Sequence, residues 1–278
     1  MSWAVVDFLL VPAIAALVIA GIHTYLGLHV VQRGVIFVDL ALAQIAVLGA
    51  TVALLVPAFS NDPHGEAVYW MSLLFTFVGA GIFSFVKGHK ANIPQEAVIG
   101  ICYAVASAAV ILAMGQTQGQ SEHLKDMLVG NINAVSWEEV WKTAAIYVVI
   151  GAFHYIYRDR FLRISMDPKT AAASGISVRL WDFLFYASFG LVVTRSVAIA
   201  GVLLVFSYLV VPSVGAMLFS TRVGPRLAIG WAMAGVVSIL GMYFAVVLDL
   251  PTGATIVCTF GLALIVMAVA KVLLPKRA

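Results

Sequence analysis

Residues 180–219 form a run of 40 with only two charged side chains, Asp182 near its start and Arg195 midway. One helix crosses about 30 Å of hydrocarbon with about 20 apolar residues, so this run is long enough for two crossings and too apolar to stand in water. The same texture fills the chain. Reading the interruptions places spans at residues 5–31, 35–59, 67–86, 94–114, 137–157, 180–194, 196–219, 227–248 and 252–274. The expectation is an all-α polytopic membrane protein of about nine transmembrane helices, with eight to ten as the range. The sixth span is short for a full crossing, which predicts a kinked or re-entrant segment there.

Composition closes off other classes. The 278 residues are 63% hydrophobic and 10% charged, with a mean hydropathy of +1.04. Soluble domains average about 45–50% apolar and about 25% charged, so a soluble enzyme is excluded. A disordered chain needs the opposite balance. A net charge of +3 offers no basic face for nucleic acid. Cys102 and Cys258 sit inside apolar runs and read as small buried hydrophobes. The first residues lack the basic start of a cleavable signal, so the first run is expected to remain as a span. The whole of 1–278 reads as one transmembrane domain.

Lys and Arg concentrate in loops on the cytoplasmic side. With the N-terminus outside, 13 of the 16 fall inside and only Lys125, Lys142 and Arg195 outside. This map predicts N-out and C-in. Trp3, Tyr69, Trp70, Trp137, Trp141 and Tyr243 then lie near the outer interface, and Tyr155, Tyr157 and Trp181 near the inner one. Small residues at Ala41 and Ala43, Gly79 and Gly81, Ala104 and Ala106, and Ala232, Ala234 and Gly235 suit close helix packing in lipid.

No nucleophile elbow, zinc-protease helix or nucleotide-binding loop is present in the sequence. No catalytic residue or resident cofactor is therefore expected. A transporter of this kind uses an ion gradient or borrows an ATPase. The longest cytoplasmic loop, 158–179, bears on that choice. Asp167 can cap a helix with Pro168 at its first position. Ala171, Ala172 and Ala173 propagate it and Gly175 can end it. A helix of about two turns is too short to stand alone, so it lies on its own bundle or against a partner.

Several segments resemble the permease subunits of bacterial ATP-binding-cassette importers for zinc, manganese and iron. Met166-Asp167-Pro168, Ala171-Ala172 and Gly175-Ile176-Ser177-Val178 are similar to the family's DP-x-x-A-x-x-x-G-V loop. The stretch from Gly201-Val202-Leu203-Leu204 to Val211-Pro212-Ser213-Val214-Gly215-Ala216 is similar to its G-x-L-L…P-A-x-x-A span. Leu250-Pro251-Thr252-Gly253, Asp126-Met127-Leu128-Val129-Gly130-Asn131 and Glu96-Ala97-Val98-Ile99-Gly100-Ile101 resemble further motifs, in the family's order. The resemblance implies a type II ABC-importer permease bundle in the bacterial inner membrane. It implies a homodimer, two ATPase subunits that consume the ATP, and an extracytoplasmic metal-binding protein. It also implies that Asp167, Pro168, Ala171, Ala172 and Gly175 couple the ATPase. The implied substrate is a divalent transition metal, zinc first, with manganese or iron as the other candidates.

One departure stands out. The family's second span carries D-x-x-x-H at the metal pathway. Aligned through Gly49, this chain has Leu40 and Gln44 at those positions, with Asp39 one residue early. One residue is about 100° of helix rotation. Gln is a poorer ligand than imidazole for a borderline metal. Asp39, Gln44, His23 and His29 are the candidate pathway residues, and Asp39, His29 and His23 the candidate metal ligands. A pairing of Asp39 with Arg33 at the interface is the competing reading. His154 reads as interfacial, and His64 and His123 as residues of acidic outer loops. Two other functions stay open. A permease for a chelated or non-metal substrate would explain the missing His. A gradient-driven transporter would need matched inverted repeats, and none is visible.

Overall fold

The computed structural model describes residues 3–59, 65–86, 94–114, 130 and 132–273. Among them there are eleven α-helices, one 3-10 turn and no strand. The helices are α1 (Trp3–Arg33), α2 (Val38–Leu54), α3 (Glu66–Val86), α4 (Gln95–Met114), α5 (Trp137–Ile156), α6 (Arg158–Met166), α7 (Pro168–Ala173), α8 (Val178–Ala200), α9 (Val202–Met217), α10 (Val223–Leu248) and α11 (Thr252–Leu273). Six of them are long and apolar enough to span a membrane, and α2 and α9 are shorter apolar helices. With the 20-residue α5, each of the nine predicted spans has its helix. The chain is a multi-pass membrane protein.

The structure moves one boundary. The apolar run is broken at Gly201, not at Arg195. Gly201 has φ 76° and ψ 161°, outside the helical region, and glycine reaches such a conformation without steric cost. Arg195 lies within α8, which runs for 23 residues from Val178 to Ala200. The expected short, re-entrant sixth span is therefore a full-length helix. The charge misled because an arginine can stay helical where its side chain finds partners; backbone geometry sets the break.

The chain forms two compact units. The first holds residues 1–31, 128–149 and 199–278. Its α9, α10 and α11 pack on one another. A Cβ at Gly27 of α1 would overlap the Leu209 carbonyl of α9, so these two backbones meet directly. Ser213 donates to the Thr24 carbonyl at 3.3 Å, and Tyr208 and Ser238 share a hydrogen bond of 2.7 Å.

The second unit holds residues 32–127 and 150–198. Here α2 lies against α3 and α4. It is the most enclosed helix, with 14 of its 17 residues buried. At Gly49 an added Cβ would sit 2.6 Å from the Met71 carbonyl of α3. Ser72 donates to the Ala46 carbonyl at 2.8 Å, and Thr76 and Thr194 join α3 to α8 at 3.1 Å. Such hydrogen bonds and close backbones hold helices together where lipid removes the hydrophobic driving force.

The aromatic residues assigned to the interfaces differ in exposure. Trp70, Trp141, Tyr155 and Tyr243 are exposed on their helices, whereas Trp181 is buried and packs on Phe161 at 5.3 Å. His64 and His123, and most of the 126–131 motif, lie outside the described residues.

Candidate transport pathway and coupling loop

Four polar side chains sit inside the apolar helices where the sequence places the pathway. His23 and His29 belong to the first unit. Both are fully buried on α1. His23 Nδ1 bonds the Ile19 carbonyl at 2.9 Å. A carbonyl only accepts, so Nδ1 carries the hydrogen and Nε2 of the neutral ring keeps its lone pair. That Nε2 has no hydrogen-bond partner among the described residues, and neither has the neighbouring Thr24 hydroxyl. The ring edge meets Tyr147 at 6.3 Å. His29 stands edge-on to Tyr25 at 4.8 Å. Six residues of helix separate the two histidines, about 120° of rotation and about 9 Å of rise, so α1 presents them on different faces.

Asp39 and Gln44 belong to the second unit and to α2. Asp39 is 1% exposed and Gln44 6%. Both Asp39 carboxyl oxygens are buried with no hydrogen-bond partner among the described residues. A buried carboxyl group with no hydrogen-bond partner costs a fold about 1–3 kcal/mol even when it is protonated, and more when it is ionised. Its place in the first turn of α2 gives partial relief from the helix dipole. Five residues separate Asp39 from Gln44, about 140° around the helix, so both cannot face one direction. Among the described residues no three His, Cys, Asp or Glu side chains converge as a closed metal cage.

The competing partner for Asp39 is occupied. Arg33, the last residue of α1, donates from Nη1 to Asp182 Oδ1 at 2.5 Å and from Nε to Ser165 Oγ at 2.9 Å. The Arg33 and Asp182 side chains are both fully buried. The interfacial Arg33–Asp39 ion pair is thus replaced by an Arg33–Asp182 pair across 149 residues of sequence. His154, expected near the inner interface, is enclosed by protein. It is buried, stacked on Phe161 at 4.2 Å, and its Nε2 bonds Ser188 Oγ at 2.8 Å.

The loop 158–179 folds into α6 and α7. Asp167 caps α7: Oδ1 accepts from the Lys169 and Thr170 amides, each at 3.1 Å, and Oδ2 from the Thr170 hydroxyl at 2.5 Å. The Thr170 hydroxyl and amide together hold the Asp167 carboxyl below the usual carboxylate range. Pro168 occupies the first position. The helix stops in a Schellman motif. Gly175 N bonds the Ala172 carbonyl at 3.0 Å and Ile176 N the Ala171 carbonyl at 3.2 Å, with Gly175 at φ 81°. Only Ala171 of α7 is buried; Lys169, Thr170, Ala172 and Ala173 are exposed. The ordered α7 is therefore six residues long, shorter than the two turns expected. Beside it opens a cleft of about 330 Å³ lined by Ser84, Pro168, Lys169, Ala172, Arg179 and Asp182.

Residues 5–271 match the ABC 3 transport family. The chain belongs to the ABC 3 transport family. It is 26% identical over 258 residues to the manganese transport system membrane protein MntC of Halalkalibacterium halodurans, covering 92% of this chain and 84% of that one. It is 22% identical over 250 residues to the manganese import system permease protein ScaB of Streptococcus parasanguinis, covering 90% and 85%. Its fold matches the solved structure of PsaBC from Streptococcus pneumoniae in complex with Fab. The TM-score is 0.77 at 21% identity, over 94% of this chain and 90% of that one. As a member of the ABC 3 transport family the chain is a transporter permease and not itself an enzyme.

Sequence reasoning missed the node formed by Arg33, Ser165 and Asp182. The only signal available was negative: two opposite charges bordering apolar runs, each needing a buried partner.

Proposed function

We propose that this ABC 3 family member is the permease of a bacterial importer for a divalent transition metal, with manganese first. The observation that carries the reading is Asp39, a buried carboxylate that no described group satisfies in the most enclosed helix of its unit. Fold stability alone selects against such a group; passage of a cation gives it a use. Manganese follows from two supports. The relatives MntC and ScaB are named for manganese. The polar side chains of α2 are oxygen donors, Asp39 and Gln44, and oxygen ligands suit Mn²⁺ where imidazole and thiolate favour zinc. Zinc and iron are the alternatives, drawn by His23 and His29.

In this reading Asp39 and Gln44 of the second unit, and His23 and His29 of the first, are each a candidate pathway residue within its own unit. The pathway binds weakly by design, because conduction needs a metal that leaves as readily as it enters. A second copy of the chain forms a homodimer with it in the inner membrane, and lipid surrounds the pair. Two ATPase subunits dock on the loop helix through Asp167, Pro168, Ala171, Ala172 and Gly175, and they hydrolyse the ATP. An extracytoplasmic metal-binding protein delivers the ion to the outer face. The N-terminus is outside and the C-terminus inside, so α7 is cytoplasmic. Its exposed face of Lys169, Thr170, Ala172 and Ala173 is what a docked ATPase would cover.

Competition in cells lacking their own uptake systems tests this. The expected result is accumulation of radioactive manganese that unlabelled Mn²⁺ suppresses at lower concentration than Zn²⁺ or Fe²⁺. Stronger suppression by Zn²⁺ would replace manganese with zinc. Suppression by neither free ion would favour a chelated or non-metal substrate.

A further inference from the structure

We propose that Arg33 is the positioning residue that ties both flanks of the coupling loop to the transmembrane helices, so that displacement of α7 reaches the bundle as one movement. The inference rests on the reading that an ATPase docks on α7. It concerns what happens to that docking force next.

The loop helix has two ways into its unit. On its N-terminal side the chain leaves α6 at Met166, one residue after Ser165. On its C-terminal side it enters α8 at Val178, four residues before Asp182. Arg33 holds both. Nε donates to Ser165 Oγ at 2.9 Å and Nη1 to Asp182 Oδ1 at 2.5 Å. A guanidinium is suited to this because its donors point in fixed directions in one plane; a lysine ammonium is a single point of charge. The plane itself is seated, with its carbon 3.9 Å from the Phe185 ring centroid on α8.

The surroundings make the junction stiff. Tyr186, adjacent to Phe185, accepts a hydrogen bond from Gln95 Nε2 of α4 at 2.9 Å, and Gln95 also donates to the Phe83 carbonyl of α3 at 3.1 Å. Phe161 of α6 is sandwiched with His154 of α5 at 4.2 Å. The ends of α1, α3, α4, α5, α6 and α8 thus converge on one buried knot. In contrast, α7 is held by its own cap and stop, which involve no residue of the knot. Removal of Arg33 contacts therefore leaves α7 folded and able to dock, while freeing its flanks to move without the bundle.

The test uses the complete transporter, purified through a tag on this chain with the ATPase subunit that accompanies it, in proteoliposomes loaded by Mn²⁺ uptake. The readout is Mn²⁺ moved per ATP hydrolysed. Ser165→Ala deletes one arm and keeps the buried ion pair. Arg33→Met with Asp182→Leu removes both charges together, which a buried pair tolerates far better than loss of one partner. Both variants should retain the ATPase and hydrolyse ATP, with Mn²⁺ moved per ATP reduced at least fivefold in the double variant and about twofold in Ser165→Ala. A merely structural role would lower the yield of complex and leave the ratio unchanged. An unchanged ratio in the double variant overturns the proposal. A wild-type complex with no ATP-driven Mn²⁺ uptake overturns the functional reading beneath it, and this inference with it.

Discussion

Asp39 and Arg33 are six residues apart in sequence and opposite in charge, and proximity alone would pair them. The structure gives Arg33 a different acid, Asp182, with both side chains fully buried, and leaves Asp39 without a partner among the described residues. The two carboxylates then carry opposite expectations. Replacing Asp182 alone would strand a buried guanidinium and should cost about 3–5 kcal/mol. Replacing Asp39 with Leu removes an uncompensated group, and should stabilise the purified protein by about 1–3 kcal/mol in thermal or denaturant unfolding while abolishing metal uptake. A loss of stability would mean that Asp39 is a structural residue. Gln44→His restores the imidazole usual at that position in the resembled family. It should keep uptake and shift preference from Mn²⁺ toward Zn²⁺, measured by competition. No change in the order of competing metals would remove Gln44 from the pathway. Which residues carry intramembrane charge was legible in the sequence. Which of them were paired was not, because the Arg33–Asp182 and His154–Ser188 contacts join positions 149 and 34 residues apart.

At the scale of elements, every span predicted from hydropathy has its helix, since length and apolarity dictate that much. The error at Arg195 has a physical lesson. Within a bundle a lone charge is compatible with an unbroken helix, but a backbone at φ 76° is not. Gly201 marks the break. Gly201→Ala should therefore lower stability by about 1–3 kcal/mol, because positive φ with an extended ψ is open essentially to glycine alone, read as a lower unfolding midpoint. An unchanged midpoint would show that the segment relaxes to another conformation. The loop helix was legible for a complementary reason. Its cap at Asp167, its proline start and its glycine stop are all local, and local signals survive without knowledge of tertiary structure.

For the whole molecule, the account requires the loop helix and the turn between α10 and α11 to lie on opposite sides of the membrane. In a background with Cys102→Ser and Cys258→Ser, Leu250→Cys should react with an impermeant reagent in intact cells. Ser174→Cys should react only after permeabilisation. The reverse pattern would invert the charge-derived topology and place α7 where no ATPase could reach it. The most direct test of the central claim is ATP-driven Mn²⁺ accumulation in proteoliposomes containing the complete transporter. Wild type should accumulate Mn²⁺ only when ATP is present on the side of α7. Asp39→Asn should retain the ATPase and fail to accumulate the metal. Gly175→Trp, altered at the exposed stop of α7, should lose the ATPase itself. Full accumulation by Asp39→Asn, or accumulation driven by an ion gradient without ATP, would contradict the account.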